Sequence, residues 1–160
     1  MMKLFTIVKY LNNLLDIENI KDDSINGLQV DGKRDIETVG FAVDSTLETF
    51  KIAKKNNVDL IVTHHGLVWK NQKIRITDLV YEKIKYLIEN EISLYCVHHP
   101  LDVHLKYGNH ICLLKKIGAL PKSLFGLWPI DFEISRLKNS LHKKDFKKAE
   151  NFAKKLKGLV

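Results

Sequence analysis

Hydrophobic positions recur along this chain with two different periods, and the two periods alternate. Leu4, Ile7, Val8, Leu11, Leu14 and Leu15 repeat at helical spacing, so residues 3–15 read as an amphipathic helix. A polar loop follows, containing Ser24-Ile25-Asn26-Gly27-Leu28-Gln29-Val30, in which Asn26-Gly27 is foremost a turn signal and the strand-like Leu28-Gln29-Val30 after it is placed to pack near the site described below. Val39, Phe41 and Val43 then alternate at the strand period. Ser45 and Glu48 have capping-box spacing, which starts a helix over about residues 46–55. Asn56-Asn57 ends it, and residues 58–62 form a short apolar strand. That is one βαβ unit, whose two strands are expected to run parallel.

The pattern then repeats. Thr77 is placed to cap a helix in which Val80, Ile84, Leu87 and Ile88 share one face, and residues 92–97 read as the next strand. Asn109 opens a further helix through Ile111, Leu114 and Ile117, with Gly118 as its C-terminal stop. The expected fold class is α/β, a mainly parallel sheet built from βαβ units with flanking helices. Residues 1–125 would form this domain. Residues 126–160, with two basic helices at about 133–142 and 145–156, would start a second one.

Composition changes this picture little. With 160 residues, 45% hydrophobic and 28% charged, the chain is too apolar for a disordered tract and lacks any collagen-like period. No apolar run approaches the roughly 20 residues that cross a bilayer, and the N-terminus lacks a signal-peptide pattern. Cys96 and Cys112 form no metal-type pair and suit a reduced, cytoplasmic compartment. The net charge of +7 lies wholly in residues 136–157, with Arg136 and eight lysines against Asp145 and Glu150. Phe146, Ala149, Ala153 and Leu156 form an apolar stripe there, with the lysines on the other face. Without exposed aromatics or further arginines, this reads as a solvated helix face rather than a nucleic-acid surface.

Histidine is where the sequence becomes specific. Six of the seven histidines fall between positions 64 and 110. His64-His65 and His98-His99 directly follow the two consecutive strands at 58–62 and 92–97, and Asp102 lies three residues beyond. Loops beyond the carboxyl ends of parallel strands form the ligand crevice, so four imidazoles and a carboxylate arrive at one sheet edge. Such nitrogen and oxygen donors suit Zn, Mn or Fe. Consecutive side chains of an extended segment point to opposite sides, so His64 and His65 would each serve one of two ions, with Asp102 bridging or completing a shell. A single histidine is more often a polar satisfier than a ligand; two clusters at the ends of consecutive strands are harder to reach by chance. Asp44 ends its strand at the same edge and reads equally as a helix cap. Trp69 could wall a pocket, although a core or interface role is the plainer reading. His104 and His110 read as surface residues.

These motifs resemble the Nif3-like dinuclear metal-centre family, which includes proteins named GTP cyclohydrolase 1 type 2 homologues. The resemblance runs through Asn26-Gly27-Leu28-Gln29-Val30, Val62-Thr63-His64-His65-Gly66 with Trp69-Lys70, His98-His99-Pro100-Leu101-Asp102-Val103-His104 and Gly108-Asn109, covering about residues 1–120 in order. It implies that His64 and His65 each bind one of two divalent ions (Zn, Mn or Fe), that Asp102 shares the site of His65, and that His98 lies beside the centre as orienter or proton carrier. It further implies a hexameric ring of two-domain subunits and metal-dependent hydrolysis, the ring opening of a purine nucleotide being what the family name suggests. The alternative is a non-catalytic oligomeric scaffold that binds metal or a partner. The family completes its site with a C-terminal His-x-x-x-Glu motif. Here His142 is followed four positions on by Phe146, so three of the five family ligands are present and weaker metal affinity is expected.

Overall fold

The N-terminal leucine spacing becomes helix α1 (Leu4–Leu15), entered through a two-residue strand β1 (Met2–Lys3). After it come β2 (Gly27–Val30), β3 (Asp35–Ile36) and β4 (Val39–Asp44), then α2 (Leu47–Lys55) and β5 (Leu60–His65). The second repeat supplies α3 (Asp78–Glu89), β6 (Ser93–Cys96), a four-residue helix α4 (His99–Asp102) and α5 (Asn109–Lys116). This computed structural model describes residues 1–116 and Gly118; the expected basic helices beyond lie outside the described residues. Met1–Leu113 forms one compact unit, and a second begins at Leu114.

The main sheet has the order β2-β6-β5-β4. β4 pairs parallel with β5, and β5 parallel with β6, as two successive βαβ crossovers require. β2 closes the other side antiparallel to β6, with Leu28 opposite Tyr95. The strand-like Leu28-Gln29-Val30 read after the Asn26-Gly27 turn is thus the part of the loop that enters the sheet. β1 and β3 form a separate antiparallel ribbon, Met2 opposite Ile36.

Both faces of the central strands are covered. On one, Leu60, Tyr95 and Val97 pack with Leu4, Leu15 and Ile36 against α1. On the other, Ile61, Leu94 and Val30 pack with Phe50, Ala53, Leu87 and Ile92 from the α2 and α3 side. Consecutive Leu60 and Ile61 therefore enter opposite cores, which is why β5 is a continuous apolar run. Each such large side chain contributes roughly 1.5–3 kcal/mol on burial.

Two local expectations change. The cap of α2 is Thr46, whose side chain accepts from the Thr49 amide; Ser45 instead donates to the His65 carbonyl at 2.7 Å. The Val39-Phe41-Val43 alternation does mark a strand, but all three side chains are exposed, Phe41 at 81%. β4 is an edge strand, and its α2-side positions are Gly40 and Ala42, where a Cβ on Gly40 would press on Val58. Gly118 does adopt a left-handed φ of 70° after α5, as its stop-signal reading expects. Among the described residues, no helix is long and apolar enough to cross a membrane.

Candidate metal centre

The histidine pair forms the last two residues of β5 itself rather than the loop after it. The ladder to β6 ends at Thr63 opposite Cys96, so His64 and His65 extend past β6, while β4 still runs alongside with Asp44 opposite His65. The two rings sit 4.7 Å apart, centroid to centroid, instead of on opposite faces. His98 joins them from the end of β6, with its ring 4.8 Å from His64 and 5.5 Å from His65. Ring nitrogens of all three lie within 4.8 Å of one another. The convergence of strand ends read from the sequence is therefore present, and it is tighter than extended geometry implied.

Each of the three imidazoles is anchored through Nδ1. His64 Nδ1 meets the Val97 carbonyl at 3.2 Å, His65 Nδ1 meets Asp44 Oδ1 at 2.7 Å, and His98 Nδ1 meets Asp22 Oδ1 at 3.0 Å. A carbonyl and ionised carboxylates can only accept, so each Nδ1 carries the proton and donates. That leaves Nε2 as the nitrogen available for a ligand, the arrangement that metal-binding histidines use. Burial lowers the pKa of His64 and outweighs the opposing pull of Asp102, favouring the neutral imidazole a cation needs.

Asp102 ends α4 and places Oδ2 3.4 Å from His64 Nε2, while Asn109 Nδ2 donates to its other oxygen at 2.9 Å. The nearest imidazole to Asp102 is thus His64, with His65 held by Asp44. The donor set of three nitrogens and one carboxylate fits a divalent ion of the Zn, Mn or Fe type. His99 is stacked on His98 at 4.3 Å, behind it rather than among the three.

Supporting residues come from segments whose sequence signals are weaker. Trp69 stands edge-on to His98 at 5.2 Å and donates Nε1–H to the Gly66 carbonyl, so it does wall the site. Gln29 on β2 accepts from the Leu67 and Val68 amides through Oε1, pinning the loop after the histidine pair. Asn26 does more than turn the chain: its Oδ1 accepts from the His98 amide at 2.8 Å. His104 is half-buried, bridging the Leu14 carbonyl and the Lys106 and Tyr107 amides. Asp22 is the residue that sequence reasoning misses. Its Asx turn onto the Ser24 amide is a local signal, but its histidine partner is 76 residues away. Burial alone would raise its pKa; hydrogen bonds from His98, Asn26, Ser24 and His99 outweigh this and hold it at about 2.

The family model described as Duf34/NIF3 (NGG1p interacting factor 3) matches residues 2–159. The chain is 42% identical over 125 residues to a protein of Archaeoglobus fulgidus named GTP cyclohydrolase 1 type 2 homolog, covering 78% of this chain and 51% of that one. A protein of the same name from Pyrococcus abyssi is 40% identical over 75% of this chain and 48% of its own length. The chain therefore spans about half the length of these curated relatives. Among solved structures, TTHA1606 from Thermus thermophilus superposes with a TM-score of 0.73 at 35% identity, over 81% of this chain and 52% of that one. Reduced HcgD from Methanocaldococcus jannaschii gives a TM-score of 0.62 at 33% identity, over 71% and 46%.

Proposed function

This chain belongs to the Duf34/NIF3 family, and on that premise we propose that it is a divalent-metal protein of the hydrolase type. His64, His65 and Asp102 hold the metal in this reading, and His98 turns its Nε2 toward them as a further nitrogen donor. The observation that supports it is the convergence of three Nδ1-anchored imidazoles and one oriented carboxylate at the carboxyl edge of a parallel sheet. Divalent ions bound there supply Lewis-acid polarisation and a water acidic enough to ionise near neutral pH. The chain's own residues do the rest. Asp44 and the Val97 carbonyl hold two rings in the donating orientation, Trp69 covers one side, and neutral His64 needs no deprotonation before it binds. Two ions per chain, a purine nucleotide as substrate and homo-oligomeric assembly are the finer parts of this proposal, drawn from the family.

Elemental analysis of untagged protein tests it first. One to two ions per chain, lost together in His64→Ala and Asp102→Ala, is the expected result. No metal and no uptake of added Zn or Mn overturns the reading. A screen of nucleotides and esters then seeks turnover that disappears in His64→Ala. The second reading, an oligomeric metal-binding scaffold without turnover, draws support from the exposed Val39, Phe41 and Val43 row on the open edge of β4. Bound metal, a stable oligomer and no turnover in the same screen would favour it.

A further inference from the structure

The described residues hold two overlapping groups with metal-ligand chemistry: His64 with His65 and His98, and Asp22 with His98 and His99. Hydrogen bonding separates them. A carboxylate offers about four lone-pair positions, and those of Asp22 are all engaged. Oδ1 accepts from the Ser24 amide at 2.9 Å and from His98 Nδ1 at 3.0 Å. Oδ2 accepts from Asn26 Nδ2 at 2.9 Å and from the His99 amide at 2.8 Å. The side chain is 0% exposed. Nothing is left on it for a cation. His99 Nδ1 lies 3.5 Å from Oδ1 and is buried without a hydrogen bond, the lone pairs of that oxygen being already engaged. The second group is therefore a support, and only the first is a ligand set.

We propose that Asp22 is a positioning residue for this centre: by taking the Nδ1–H of His98 it fixes that ring as the Nδ1-protonated tautomer and presents Nε2 to His64 and His65 as a third nitrogen donor. Its other bonds serve the same end. Asn26 is held by Oδ2 and in turn accepts from the His98 amide, so both backbone and ring of His98 are tied to one carboxylate. A merely structural clasp between the N-terminal loop and the start of α4 would fix the backbone without selecting a tautomer. The metal part of the proposal rests on the functional reading above; the tautomer does not.

The test begins with the unaltered chain, using long-range proton–nitrogen NMR of the histidine rings at about pH 8. His98 is expected to carry its proton on Nδ1 with Nε2 unprotonated, and an Nε2–H tautomer overturns the proposal. Zinc affinity by chelator competition follows, for the wild-type chain, Asp22→Asn and Asp59→Asn. The last is a carboxylate that clasps backbone amides elsewhere and serves as a control for lost stability. Asp22→Asn is expected to bind zinc about 10–100-fold more weakly, with Asp59→Asn unchanged. Equal affinity for all three, or equal loss in both variants, overturns the role assigned to Asp22. A wild-type chain that takes up no zinc sinks the metal reading alone, and the ring tautomer then still decides whether Asp22 sets His98.

Discussion

Asp44 closes β4 directly opposite His65 at the end of β5, and its Oδ1 lies 2.7 Å from His65 Nδ1. Strand register alone makes this contact. Pairing that starts with Val39 opposite Leu60 brings the carboxylate level with the imidazole at the carboxyl edge. Asp44→Ala should therefore weaken zinc binding about tenfold or more. Both side chains are substantially exposed, so its unfolding free energy should change by less than about 1 kcal/mol. Chelator competition and urea denaturation on the same preparation separate the two effects.

Asp59 makes the fold sensitive to acid. Burial raises its pKa, but Lys33 Nζ at 2.9 Å and the amides of Glu37 and Thr38 outweigh that and hold it below the ordinary carboxylate value. A carboxylate lowered in the folded state adds stability above its unfolded pKa, about 4, and that contribution disappears as the pH falls through the folded value. Asp22 has the same sign, with its window running down to about 2. The urea midpoint of the wild-type chain should exceed that of Asp59→Asn most at neutral pH. The gap should narrow below about pH 4, and a gap that widens on acidification would contradict the assignment.

Gly66 follows the histidine pair where no side chain fits. A Cβ there would lie 2.7 Å from Cys96 Sγ and against the Gln29 amide that pins the loop. Gly66→Ala is expected to cost about 1–3 kcal/mol and to reduce metal uptake, because Gln29 and the loop must shift together. Thermal melts with and without zinc would show both losses; a wild-type melt would mean the loop yields freely.

Two phenylalanines should respond in opposite ways. Phe50 is fully buried between α2 and the sheet, so Phe50→Ala should destabilise by about 3–5 kcal/mol. Phe41, 81% exposed on the open edge of β4, should leave the unfolding free energy within about 0.5 kcal/mol when changed to Ser. If β4 contributes to self-association, the same change lowers the sedimentation-derived mass, which reads the role of that edge directly.

Much of this protein was legible in one dimension because its signals are local. The helical spacing of Leu4 to Leu15, the apolar run that became β5 and the left-handed Gly118 each depend on neighbours a few residues away. From those, βαβ handedness and parallel pairing follow, and with them the arrival of His64, His65, His98 and Asp102 at one edge. What only the tertiary structure decided is everything that depends on approach between distant segments. Gly27–Val30 took its place antiparallel beside β6, a partner that no local signal names. Phe41 faces solvent because α1 packs on the inner strands and leaves β4 at the rim. The two adjacent imidazoles come within 4.7 Å where β5 runs on past its β6 partner. Asp22 reaches His98 across 76 residues of chain, and no spacing rule encodes such a contact. Residue types and periods set which chemistry the chain carries; packing sets which nitrogen of each ring faces the site.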